Sequence, residues 1–294
     1  MKKPSLFLVT VCISTGNIAF ADNGSASAQP RVANISANVS PKMTITNEEP
    51  NPSLLIPKND VTEAAFAGAD PEVEFPSRGR FESVFDGRAA VGVMVDAEGN
   101  ATDFLVIRYS KAYFAEEVMI AIRNEQFTPR KIRGVAVPGR FYVVRAFSLS
   151  VQNPIDPNQP GTVSMNPMEQ MGLRSDRIAN KDGPPLIYKA HGEHEIDGHI
   201  LKVAAVAAPL IPVGCEIPAG QTLKIVVIFY VDGGGDVRLP NVDSDASPLL
   251  IPNVIKTVAG WKFERPTIKG KPVLVFTNRT LILEPNPAPH TDVH

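Results

Sequence analysis

Cysteine is nearly absent from this chain. Cys12 falls inside an apolar N-terminal run, and Cys215 is the only one beyond it. With that run removed no intramolecular disulfide can form, which excludes a cystine-built scaffold. Long apolar runs are missing too: after residue 21 no stretch approaches the roughly 20 residues a bilayer-spanning helix needs. Charge of one sign is not in excess, the net value being -2, so no global field favours nucleic acid and none is expected as a partner. Signatures of chemistry are also lacking. There is no G-x-S-x-G elbow, no Walker loop, no dinucleotide fingerprint and no Cys/His nucleophile arrangement. The expectation is a non-enzymatic protein without a cofactor.

Proline is plentiful, 27 of 294 residues, and much of it falls between the patterned segments. The chain opens with Lys2 and Lys3, an apolar core from Leu6 to Ile13, and Ala19-Phe20-Ala21. That is the order of a secretory signal with an A-x-A cleavage site, so residues 1–21 read as a signal peptide and the mature protein as periplasmic. The alternative is an uncleaved anchor in the inner membrane. Residues 22–65, rich in Ser, Asn, Ala and Pro, read as a flexible arm carrying one apolar island, Leu54-Leu55-Ile56-Pro57. Residues 151–184 read as a linker, because Asn153-Pro154, Asp156-Pro157 and Gln159-Pro160 exclude helix. Met165, Met168 and Met171 within it suit satellite packing better than a soft-metal site. Residues 286–294, with His290 and His294, read as a disordered tail.

Two patterned segments remain, 66–150 and 185–285. In the first, Ala89 to Asp96 predicts a strand and Ala97-Glu98-Gly99-Asn100 a hairpin turn. Ala101 to Tyr109 predicts a second strand, with either Phe104 and Val106 or Leu105 and Ile107 on the buried face. Phe114, Val118, Ala121 and Ile122 fall at helical spacing, and Phe141 to Phe147 is a returning strand. Adding 136 carries Pro76 to Pro212, Val95-Asp96 to Val231-Asp232, Gly99 to Gly235, Val118 to Val254, Phe127 to Phe263, Gly134 to Gly270 and Val137 to Val273. A match without gaps at turn glycines, strand starts and helix positions predicts a duplicated unit. The fold class is therefore α+β: two tandem small domains, each a helix packed on a three-stranded antiparallel sheet. In the second copy the helix starts either at Pro252 or after a separate turn over 248–251, with Leu250, Val254 and Val258 on its apolar face.

Val231-Asp232 with Gly235, an apolar helix, then Trp261, Phe263, Pro266, Gly270, Pro272 and Val273 resemble the C-terminal domain of TonB-type energy transducers. Residues 209–284 carry the closer resemblance. Residues 71–149 are similar through Phe75-Pro76, Val95-Asp96, Gly99, Phe127, Pro129, Gly134 and Val137, with Asn124-Glu125-Gln126 in place of the Trp region. The resemblance implies a periplasmic domain that takes an extended segment of an outer-membrane receptor beside its last strand, through backbone hydrogen bonds. Carried onto this chain, the binding residues are Val273, Leu274, Val275, Phe276 and Thr277, and Trp261 and Phe263 are core anchors. The alternative is an edge already covered by the arm, the other copy or a second chain; a homodimer through that edge stands as a further option. A transducer needs an anchor and a long Pro-rich charged spacer. The short arm therefore favours a soluble adaptor for an envelope protein, with the anchored transducer as the other reading.

His191, His194 and His199, with Glu193, Glu195 and Asp197, are the one cluster that suggests metal chemistry. They do not form the H-E-x-x-H pattern, and alternation along a strand would separate His194 from the other two. A polar strand or turn is the expectation, and a metal-dependent enzyme the alternative. Arg130, Lys131, Arg133 and Arg140, and Lys262, Arg265, Lys269 and Lys271, gather near the turns before the last strands. They read as solvated turn residues, or else as a face for an anionic partner.

Overall fold

A computed structural model describes residues 41–46, 57–149 and 184–285. Strand outweighs helix, 43% against 15%, and the pairing is overwhelmingly antiparallel, so the chain is mixed α+β or mostly β. The signal, the linker core, the island 54–56, the three linker methionines and the tail histidines lie outside the described residues.

The first half contains β1 (Lys42–Thr46), β2 (Val61–Thr62), β3 (Ala65–Phe66), α1 (Ser77–Phe81), β4 (Asp86–Val95), β5 (Ala101–Tyr109), α2 (Ala112–Ile122), β6 (Phe127–Thr128), β7 (Arg130–Ile132), β8 (Val135–Val137) and β9 (Gly139–Ser148). The second contains β10 (Tyr188–Lys189), β11 (His191–Gly192), β12 (Val203–Ala205), β13 (Leu223–Val231), β14 (Val237–Val242), α3 (Ile251–Ala259), β15 (Lys262–Phe263), β16 (Thr267–Ile268), β17 (Lys271–Pro272) and β18 (Val275–Glu284).

β4 and β13 are the β-branched runs, and each becomes the centre of a sheet. One sheet is ordered β10-β5-β4-β9, the other β1-β18-β13-β14 with β11 added to β18. In the first, Phe114, Val118 and Ile122 of α2 join Ala89, Val91, Val93 and Val95 in one core. In the second, Leu250, Ile251, Val254 and Val258 join Ile225, Val227, Phe229 and Val231. Residues 248–250 form a turn closed by the Leu250 N–H donating to the Ser247 carbonyl at 2.9 Å. The helix then carries Pro252 in its first turn, where a missing N–H costs nothing.

The pairing recurs at the offset seen in the sequence. Val91 lies opposite Val143 and Val106, and Val227 lies opposite Arg279 and Val242. Asp96 Oδ1 accepts the N–H groups of Glu98 and Asn100, and Asp232 Oδ1 those of Gly234 and Asp236. Gly99 and Gly235 close these turns at φ 91° and 92°.

Both sheets also use their second faces. Gly92 of β4 lets Leu239 of β14 approach so closely that an added Cβ would meet its Cδ1 at 2.3 Å. Met94 and Leu105 fall in the same core as β13 and α3, with Ile107 packed against it. Phe104 and Val106 pack with α2 instead. The choice left open for β5 is therefore settled by both faces packing against a core, with Leu105 buried and the others half-buried. Arg238 donates to Asp103 (Nε at 2.8 Å) and to the Phe104 carbonyl, and the Tyr142 and Tyr230 hydroxyls lie 3.2 Å apart. All described residues fall within one compact unit, Asn38–His294.

The expected arm needs correction. Lys42–Thr46 is a strand paired with Thr280–Glu284, and β2 and β3 pair with β7 and β6. KMTIT alternates polar and apolar side chains, a strand pattern its Ser- and Pro-rich surroundings obscure.

Candidate functional site

The sequence placed a partner-binding edge at Val273, Leu274, Val275, Phe276 and Thr277. The structure closes it, and strand addition there is corrected accordingly. On one side β18 pairs with β13 along its length. On the other, β11 pairs with it in parallel, His191 beside Val275 and Gly192 beside Phe276, and β1 pairs with it from Thr280 onward. The His191 N–H donates to the Leu274 carbonyl at 2.8 Å. Val273 precedes the strand, its N–H held by the Pro266 carbonyl.

What fastens the cover is an ion pair. Arg279 is 2% exposed, with its guanidinium under the Phe263 ring. It donates through Nη1 and Nη2 to Glu193 Oε2 and Oε1, both at 2.9 Å. Thr277 Oγ1 donates to the same carboxylate at 2.6 Å and the Leu201 N–H at 2.7 Å. Burial alone would raise the Glu193 pKa, but these donors outweigh it and hold the carboxyl below its ordinary value. Asp197 secures the neighbouring turn, accepting from Thr267 Oγ1 and the N–H groups of Lys269 and Gly270.

The three histidines are not gathered round a common point. His191 Nδ1 contacts Glu195 Oε2 at 2.9 Å, His199 Nδ1 meets the His194 carbonyl at 2.8 Å, and the His194 ring lies against Gly192. The His191 hydrogen bond, with the Gly192 N–H, draws the Glu195 pKa down to about 2. Among the described residues no group of three or more His, Cys, Asp or Glu is disposed to hold a metal ion. Trp261 and Phe263 pack on Phe229, with the indole N–H donating to the Ala207 carbonyl at 3.0 Å. Cys215 Sγ reaches Ser247 Oγ at 3.3 Å.

The basic residues divide. Arg130 is not a solvated turn residue: it is 2% exposed and donates to Asn241 Oδ1 and the Val242 carbonyl. Arg133 pairs with Asp60 and Asp245, and Lys262 with Asp236. Arg265 donates to the Gly233 carbonyl, while Lys131, Lys269 and Lys271 are exposed. Arg140 stands apart, its guanidinium 5.3 Å from the Tyr142 ring centre and 5.6 Å from that of Phe276.

The strand expected over Phe141 to Phe147 forms as β9, and its standing as an open edge is what sequence reasoning missed. It pairs with β4 on one side only and has no strand on its outer edge among the described residues. A groove of about 490 Å³ runs along it, lined by Ala65, Phe66, Gly68, Asp70 and residues 141–145. Tyr142 and Val144 are 37% and 52% exposed there. The signal was available, because β9 is β18 moved back by 136 residues. Comparisons with family models, curated proteins and solved structures give no match to this chain.

Proposed function

We propose that this chain is an exported, non-enzymatic adaptor built from two tandem TonB-C-like units. In this reading it takes an extended segment of an envelope protein, such as an outer-membrane receptor, as an added strand. The recurrence of strand register at an offset of 136 supports the duplication. The observation that carries the binding role is a contrast between equivalent strands. The outer edge of β18 accepts one added strand in parallel and another antiparallel, both from its own chain, whereas the equivalent edge of β9 carries none among the described residues. An edge of this kind supplies a row of backbone donors and acceptors to whatever extended chain can reach it. The binding strand is accordingly β9 rather than β18.

A photo-crosslinking residue at Val144 tests this in the native envelope. The expected product joins Val144 to one continuous extended segment of a partner, while the same residue at Phe81, 89% exposed on α1, does not yield it. Equal products from the two positions, or none from Val144, would sink the reading. Fractionation with N-terminal mapping tests export: a soluble product beginning at Asp22 is expected, and an uncut precursor in the inner membrane would return the case to an anchored transducer.

A further inference from the structure

Among the described residues, the open edge has one guanidinium with no carboxylate to neutralise it. At the far end of the groove Arg145 is held by Asp70 and donates also to the Pro71 carbonyl. Arg130, nearby, has Asn241, the Val242 carbonyl and Glu63 at 3.4 Å. Arg140, the second residue of β9, makes no ion pair among the described residues, and its Nη1 is buried without a hydrogen-bond partner. Two aromatic rings lie beside it: Tyr142, two residues on and so on the same face of the strand, and Phe276, which itself rests 5.1 Å from Tyr230. Two rings within about 6 Å favour holding the guanidinium in place before any ligand arrives. A buried donor left unpaired is costly, and a carboxylate is the acceptor that offsets the cost most fully. Burial pulls the Arg130 pKa below its ordinary value; Glu63 and Asp243 resist this, and the charge of Arg140 adds to the fall, so the two cations sense each other.

We infer that Arg140 is a specificity residue of the β9 edge, selecting a partner strand that carries an aspartate or glutamate side chain opposite the start of β9. The inference rests on the strand-addition reading above. A side chain fits better than a terminal carboxylate, since Arg140 rises off the sheet on the face shared with Tyr142, while a chain end would lie in the plane of the sheet.

The test uses the whole mature protein and capped, fluorescent peptides of alternating valine and threonine, with one position near the end occupied by Glu, Gln or Lys. Anisotropy is expected to give about tenfold tighter binding for the Glu peptide than for the Gln peptide, with Lys weakest. The gap should narrow in high salt and close in Arg140→Gln. Arg140→Glu should reverse it in favour of Lys. Equal binding of the Glu and Gln peptides to the unaltered protein would overturn the assignment of Arg140 alone, and needs no variant to fold. If no peptide binds and the amides of residues 139–148 gain no protection from exchange, strand addition fails and the inference falls with it.

Discussion

Val143 and Arg279 hold the same place in two equivalent strands, one opposite Val91 and the other opposite Val227. Val143 is 1% exposed and simply fills the core beneath α2. Arg279 is as deeply buried but charged, and it is satisfied by Glu193 reaching in from the chain that covers the edge. One edge is thus fastened shut through a charge that the other lacks.

Removing Glu193 should therefore both destabilise and uncover. Glu193→Ala strands a buried guanidinium, and a loss of about 2–3 kcal/mol is expected in urea unfolding. Arg279→Val, which places there the residue type of Val143 at the matching register of β9, should cost less, because the freed carboxylate, 20% exposed, keeps Thr277 and the Leu201 N–H. A double-mutant cycle should give coupling of about 2 kcal/mol. Hydrogen exchange should quicken at residues 190–193 in the Glu193 variant.

Acid should loosen the same cover. Glu193 has a folded pKa below the 4.5 it has when unperturbed. Its contribution is full above that ordinary value and is lost as pH falls through the depressed folded value. Stability should accordingly decline below about pH 4.5, with a shallower decline in Glu193→Gln. An equal slope in the two proteins would dissociate Glu193 from the acid response.

Gly99 and Gly235 should tolerate alanine poorly. Each has positive φ, and an added Cβ would lie 2.3 Å from the Phe127 carbonyl oxygen or 2.2 Å from that of Phe263. Backbone cannot swing aside as a side chain can, so a loss of about 2 kcal/mol or more is expected from each. Gly68→Ala is the control, since nothing lies within 4 Å of its added Cβ, and it should stay within about 0.5 kcal/mol of the parent.

The joint between the sheets should behave non-additively. Gly92→Ala drives a methyl into Leu239, which is fully buried and already held at φ 48°. The single change should cost about 1–3 kcal/mol by overpacking. Leu239→Ala alone should cost about 2–4 kcal/mol by leaving a cavity. Together they should lose less than the sum, which thermal unfolding of the four proteins measures.

What could be read from the chain was local or periodic. The turns at Asp96 and Asp232, the helix rows through Val118 and Val254, and the burial of Trp261 all follow from spacing and side-chain type. The cover of β18 did not, because β1 and β11 are short strands whose partner lies far along the chain, 84 residues away (275 − 191) in the case of His191 and Val275. Glu193 carried no mark separating it from Glu195 or Asp197 until the fold brought Arg279 to it. Leu239 reads as an ordinary strand residue, and only the gap left by Gly92 explains its position.

The face-to-face burial of Met94, Leu105 and Leu239, with Ile107 packed against them, has a consequence for the chain as a divisible object. Cut between β9 and β10, the first half would expose that apolar face to water, and Arg130 would lose Asn241 and the Val242 carbonyl. Repetition in the sequence does not make the halves interchangeable parts. Expressed separately they should aggregate or remain unfolded, and mixed during refolding they should recover one soluble complex that melts in a single transition.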